Sequence, residues 1–260
     1  MKNKAVGIIG CGNMGSSIAQ GLKSRYPLFV FDKDKNKTKD VQGIKIADNL
    51  SDLANQADIL LLAVKPQDFD SVLTELKDKT EGKLIISIAA GITTSYIEKQ
   101  LPQARVVRAM PNMPLVIGEG ITALVKGVFA DDKDLRTAVE MFEAFGTAVT
   151  IEKEELINAV TAISGSGPAY LFYFVMAISE AAKELNLDED TANKLVYHTI
   201  SGSVNLLNKE NFDAISLIGK VASKGGTTEA ALKIFDERGM NKIILNAIMA
   251  AYKRAGELSR

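Results

Sequence analysis

Apolar residues in the first half of the chain fall in short unbroken runs separated by longer stretches of mixed character. Ala5-Val6-Gly7-Ile8-Ile9, Leu28 to Phe31, Ile59-Leu60-Leu61-Leu62-Ala63-Val64 and Leu84 to Ile88 are the clearest. Runs this short and without polar alternation predict strands buried on both faces. Val106-Val107 and Ile121 to Val125 predict two more. Between the first two, Asn13 to Arg25 sets Met14, Ile18, Gly21 and Leu22 along one side and predicts a helix, and a weaker helix follows Phe31. Strands separated by helices predict right-handed crossovers and an open, doubly wound parallel sheet.

From about Glu152 the strand pattern stops. Glu154 to Ile163, Pro168 to Leu185, Asp190 to Leu207, Asp213 to Val221, Glu229 to Glu237 and Lys242 to Leu258 all predict helices. The expected division is therefore an α/β Rossmann-like domain over 1–151 and an all-α domain over 152–260. Nearly every position from Ala169 to Ala182 is apolar or small, including Tyr170, Leu171, Phe172, Tyr173 and Phe174. A helix apolar all round needs covering on all sides, by a second subunit or by its own domain.

Composition narrows the function. Hydrophobic residues are 47% and charged residues 24% of the 260, and the net charge of -1 is spread with both signs interleaved. That excludes a nucleic-acid groove as the expectation. The single cysteine, Cys11, excludes an intrachain disulfide and fits a reducing compartment. No apolar run is expected to reach the roughly 18 residues of a membrane span, and the first strand begins too early for a signal peptide. A soluble cytoplasmic protein without a metal site is predicted.

Two motifs carry chemistry. Gly10-Cys11-Gly12-Asn13-Met14-Gly15 follows a strand, opens a helix and precedes a second strand ending at Asp32. In that setting the first glycine makes the tight turn and the second admits a pyrophosphate to the backbone. The third lets helix and sheet pack closely. Asp32 stands where an acid binds the adenosine ribose hydroxyls, a lean toward NADH over NADPH, with Lys33 and Lys35 as alternative contacts for a 2′-phosphate. Ile9, Asn49, the turn Ala63-Val64-Lys65-Pro66 and the turn Ile88-Ala89-Ala90-Gly91 fall at strand ends, where open α/β sheets bind ligands. Cys11 is read as a small residue fitting the glycine loop, and His198, the only histidine, as a packing or surface residue. The second motif is Ser223-Lys224-Gly225-Gly226-Thr227-Thr228 before a helix, a backbone suited to an anion. Gly225, Gly226, Thr227 and Thr228 are the substrate-binding candidates, with helix capping as the plain alternative for the threonines.

These motifs, with Arg108-Ala109-Met110-Pro111-Asn112-Met113-Pro114 and Ser164-Gly165-Ser166-Gly167-Pro168-Ala169-Tyr170, resemble the pyrroline-5-carboxylate reductase family over essentially the whole chain. The resemblance implies hydride transfer from NAD(P)H to the C=N carbon of 1-pyrroline-5-carboxylate, giving L-proline. It also implies a homodimer with interleaved helical domains, assembled into rings of dimers in some members. By that resemblance the Gly225–Thr228 loop holds the substrate carboxylate and Thr228 lies near the ring nitrogen. Glu154 and Lys220 approach the cofactor, although Lys220 stands where asparagine is common. Asp32 also departs from relatives that carry Ser, Asn or Arg. Ser164 and Ser166 are candidates to reach the ring or the nicotinamide amide, with N-capping as their alternative. The rival readings are a β-hydroxyacid dehydrogenase or imine reductase and a non-enzymatic cofactor sensor; residues 164–176 lack the lysine that the hydroxyacid enzymes use.

Overall fold

In the computed structural model, residues 4–39, 41, 43–102 and 104–260 are described. Strands β1 (Val6–Ile9), β2 (Leu28–Phe31), β3 (Lys45–Ile46), β4 (Ile59–Leu62), β5 (Leu84–Ser87), β6 (Arg105–Pro111), β7 (Gly120–Lys126) and β8 (Gly146–Thr150) form one sheet. Their order is β3-β2-β1-β4-β5-β6-β7-β8. The pairings are parallel except β6 with β7, which is antiparallel. The doubly wound expectation therefore holds for the first six strands, and β7 and β8, which run opposite to them, depart from it. Helices α1 (Asn13–Leu22), α2 (Leu50–Gln56), α3 (Phe69–Leu76), α4 (Thr94–Gln100) and α5 (Asp132–Phe142) cover the sheet.

Burial on both faces explains the unbroken apolar runs. Along β4, Ile59 and Leu61 join the core beneath α1 and α5, while Leu60 and Leu62 join the core beneath α2, α3 and α4. On α1 the buried residues are Gly15, Ile18, Ala19 and Leu22; Gly21, expected on that face, is exposed. The acid-rich start of α5 closes a capping box, in which Asp131 accepts from the backbone of Asp134 and Asp134 from that of Asp131.

The described residues divide into two compact units, those up to Pro168 with Ala251–Arg260, and Ala169–Ala250. The division differs from the expected boundary at 151/152. Helix α6 (Leu156–Val160) and the π-helical turn Thr161–Gly165 stay with the sheet, because Ile157 is fully buried against Ala123 and Val125 of β7, with Met110 of β6 alongside. The second unit holds α8 (Glu189–Lys209), α9 (Ala214–Val221), α10 (Thr227–Glu237), and most of α7 (Gly167–Glu184) and α11 (Met240–Leu258).

The α7 aromatics are open to solvent in the single chain: Phe172 is 60% and Tyr173 70% exposed. Against the expectation of no spanning segment, the continuous helical stretch Leu156–Glu184 is long and apolar enough to cross a membrane by length and composition, with a mean hydropathy of 1.3. A helix whose apolar surface is left uncovered in this way requires a partner surface or lipid.

Candidate active site

The order of strands reverses between β1 and β4, and the Gly10–Gly15 loop sits there. Gly10 N–H donates to Phe31 O at the end of β2, and Ala63 N–H donates to Ile9 O. Three strand ends are thus fastened around one glycine. Gly10 has φ +100, and a Cβ there would lie 2.7 Å from the Ala63 carbonyl oxygen. Gly15 admits no side chain either, since its Cβ would collide with the Gly10 carbonyl. At Gly12, by contrast, a Cβ would meet no protein atom within 4 Å. Gly12 is also the N-cap of α1 and provides no side-chain cap, so the first-turn amides face outward without one.

A crevice of about 560 Å³ opens at this point, lined by Ile9, Gly10, Gly12, Asp32, Ala63, Val64 and Lys65 together with Lys33, Lys37, Asp68 and Glu75. Backbone amides at a helix N-terminus, a loop with no room for side chains on its inner side, and a sheet switch point fit a dinucleotide pyrophosphate. Met14 packs its side chain onto the core, so it contributes to this site through its backbone; Asn13 heads α1 and its carbonyl accepts from the Ser17 hydroxyl.

Asp32 is buried, and both its oxygens are engaged. Oδ2 accepts from Cys11 N at 2.7 Å and Oδ1 from Asp34 N at 2.8 Å. Its carboxylate therefore also braces the glycine loop. The Cys11 thiol beside it is pushed up to about 12, first by burial and then by the Asp32 charge. It is a protonated thiol at neutral pH, as a packing role requires.

Three expected site residues have work elsewhere. Asn49 caps α2, with Oδ1 accepting from Asp52 N at 2.8 Å. Pro66 starts a 3₁₀ turn, and its carbonyl accepts from Arg260 Nη2. Glu154, expected near the cofactor, does not line the crevice. Its Oε1 instead accepts from Thr94 N at 2.8 Å and Arg108 Nη1 at 2.9 Å, and its Oε2 from the Thr94 hydroxyl at 2.5 Å. The reason is the buried Arg108 guanidinium, which requires a carboxylate partner. Through Thr94, the first residue of α4, Glu154 fastens the turn that contains Ile88, Ala89 and Ala90. The same turn is held from another direction by Arg260, whose N–H donates to Gly91 O and whose carbonyl accepts from Thr93 N–H.

Glu98 lies on α4 close to this cluster, and its carboxyl is held above the ordinary 4.5. Burial is the main cause, with the Glu154 charge adding to it against the Phe129 and Val128 amides. A raised folded value means that the stability Glu98 contributes is complete below pH 4.5 and is lost as pH rises through that raised value. Glu98→Gln keeps an oxygen for the Phe129 amide and cannot ionise. Thermal melts are expected to show the variant more stable than the parent at neutral pH, with the difference closing below pH 4.5. A difference that did not vary with pH would assign the effect to something other than ionisation.

In the second unit, Gly225 has φ +73 and Gly226 is the N-cap of α10, again without a side-chain cap. Thr227 and Thr228 are the first residues of the helix rather than its cap, and Thr228 is half-buried. Glu229 reaches back so that its Oε2 accepts from Gly225 N at 2.6 Å. The sequence predicts an anion on that loop; here the Gly225 amide is taken by the chain's own carboxylate. Lys220 pairs with Glu210 at 3.2 Å, and His198 is exposed with its ring edge-on to Tyr197. Ser166 closes the π turn through its backbone N–H to Thr161 O, and the Ser164 hydroxyl is buried without a hydrogen-bond partner. π turns of this kind recur at functional sites.

Arg108, Glu229 and Asp68 were not singled out as site residues by sequence reasoning. Arg108 heads the Arg108–Pro114 motif and Glu229 follows the Gly225–Thr228 loop, but neither pattern gives the residue a role, and Asp68 shows only as the acid of a Pro-x-Asp helix start.

Comparison with known proteins agrees with this arrangement. Residues 154–258 match the model described as pyrroline-5-carboxylate reductase dimerisation, and residues 5–91 the model described as NADP oxidoreductase coenzyme F420-dependent. A pyrroline-5-carboxylate reductase of Methanosarcina acetivorans is 36% identical, covering 100% of both chains. The solved pyrroline-5-carboxylate reductase of Coxiella burnetii is 34% identical with TM-score 0.90, covering 99% of each chain. The solved pyrroline carboxylate reductase of Plasmodium falciparum, with NADP bound, is 29% identical with TM-score 0.91 over 100% of each. An imine reductase from Pseudomonas is 17% identical with TM-score 0.61 and shares the fold alone. With a glycine loop at the switch point, a helical segment matching the dimerisation model and full-length identity of this order, the chain belongs to the pyrroline-5-carboxylate reductase family.

Proposed function

We propose that the protein reduces 1-pyrroline-5-carboxylate to L-proline with NAD(P)H, the last step of proline biosynthesis. The observation that carries this reading is the full-length identity to chains of that name. The reduced nicotinamide, when bound, supplies the hydride to the imine carbon. The chain's own task is to bind and orient. The α1 amides and the Gly10–Gly12 backbone hold the pyrophosphate, and the Ala63–Val64 and Ile88–Ala90 turns border the cofactor. A protonated cyclic imine already accepts hydride readily, so positioning contributes more than acid strength, on the order of 7–11 kcal/mol in well-oriented pairs. The absence of a histidine from both motifs is consistent with that.

Gly225, Gly226, Thr227 and Thr228 bind the substrate carboxylate, with Glu229 displaced from the Gly225 amide as it enters. Thr228 donates or relays a proton at the ring nitrogen, and Ser166 lies on the ring side of the site. Residues 152–260 form the dimerisation and substrate segment, and the uncovered α7 face is buried by a second copy in a homodimer, itself able to build rings. The span of the dimerisation match supports covering by a second copy rather than lipid, the reading that a cytoplasmic location would accompany.

The test is steady-state oxidation of NADH and NADPH with 1-pyrroline-5-carboxylate, with 1-pyrroline as the carboxylate-free control. Turnover of the carboxylated imine alone is expected. Equal use of both imines would point to a general imine reductase, and no turnover of either, with the reduced cofactor still bound, to a sensor. Thr228→Ala is expected to lower kcat about 10²-fold or more with cofactor KM little changed; unchanged kcat would remove Thr228 from the chemistry.

A further inference from the structure

The crevice has a charge arrangement at its adenosine end that the family reading leaves unused. Lys33 directly follows Asp32 at the end of β2, and its Nζ lies 2.5 Å from Oδ1 of Asp68 in the 3₁₀ turn after β4. Both residues line the crevice. The pair therefore bridges two strand ends, β2 and β4, that lie on either side of β1. Among the described lining residues, the cations Lys33, Lys37 and Lys65 are matched by Asp32, Asp68 and Glu75. Asp32 is occupied by the Cys11 and Asp34 amides. That leaves Asp68 as the acid that neutralises Lys33, the lysine next in sequence to the ribose candidate Asp32.

We propose that Asp68 is a cofactor-specificity residue, which holds Lys33 across the crevice and so withholds it from a ribose 2′-phosphate. This rests on the dinucleotide reading of the crevice. A 2′-phosphate brings about -1.5 to -2 charges and a demand for cationic partners, whereas a ribose 2′-hydroxyl brings neither. Asp68 acts twice against the phosphate, by engaging Lys33 and by adding its own negative charge to the crevice lining. Lys33 is 72% exposed on its side chain, so the bridge is a surface contact and release of the lysine needs no rearrangement of the core.

The experiment is calorimetric titration of the full chain with ADP-ribose and 2′-phospho-ADP-ribose, a binding readout without turnover. Parent, Asp68→Asn, Lys33→Met and the double variant are compared. Asp68→Asn is expected to raise affinity for the phosphorylated nucleotide relative to ADP-ribose roughly fivefold. In the Lys33→Met background that gain is expected to shrink to twofold or less, about the part due to the carboxylate alone. An unchanged ratio in Asp68→Asn overturns the proposal, and so does an equal gain in both backgrounds. If the parent binds neither nucleotide, the dinucleotide reading itself fails, and that result stands apart from the other two.

Discussion

Gly15→Ala is expected to lower the melting temperature by about 3–10 °C and kcat/KM on the order of a hundredfold. The added Cβ would collide with the Gly10 carbonyl and also lie 3.1 Å from the Ala63 Cβ. The first of these is backbone, so no rotamer change relieves it. Helix α1 must move off β1 and β4, carrying the pyrophosphate-facing amides with it, and overpacking of this kind costs about 1–3 kcal/mol. Gly12→Ala is the control. Its Cβ meets no protein atom, so it should melt with the parent while intruding on the crevice and weakening cofactor binding. Differential scanning fluorimetry with an NADH titration separates the two. A Gly15→Ala protein with parental melting and affinity would mean that α1 and the loop are not in van der Waals contact.

Glu154→Ala is expected to destabilise by about 3 kcal/mol, the low end of the cost of removing one partner from a buried ion pair. The low end applies because Glu154 keeps 21% side-chain exposure, while Arg108 has 3%. The variant leaves the guanidinium uncompensated on β6 and removes the acceptor for both donors of Thr94. Loosening of the α4 start should reach the Ala89–Ala90 turn and raise the cofactor KM. The double variant Arg108→Met/Glu154→Leu removes both charges and should recover much of the loss, as buried pairs replaced by apolar groups do. Chemical denaturation of the two variants decides the point, since equal stability for parent and Glu154→Ala would show that Arg108 finds other partners.

What could be read from the sequence was whatever depends on local backbone or on burial from both sides. β1, β4 and β5 announce themselves because each side chain, up or down, enters a core. Lys45–Ile46 and Gly146–Thr150 do not, being short or largely uncovered and carrying no apolar run. The reversed β7 carries an apolar run like those of the parallel β4 and β5, so its direction leaves no trace in composition. The same distinction governs the site. The roles of Gly10, Gly12 and Gly15 concern the backbone around themselves and can be inferred from spacing. Glu154 takes its role from partners 46 and 60 positions away, and Lys33 from one 35 positions away. No local pattern encodes such pairings.

The sheet-bearing unit is completed only by residues after Ala250, since Leu258 lies against Gly91 and Arg260 bonds to Gly91 and Thr93. During synthesis, α1 to α5 and the strands can collapse early, while the turn after β5 waits until a further 167 positions have left the ribosome. Its closure entropy grows only slowly with that length, so the delay is one of timing more than of stability. A nascent chain stalled before α11 would carry a formed glycine loop beside an unfastened turn. Maturation of this chain would then end, rather than begin, at the turn after β5.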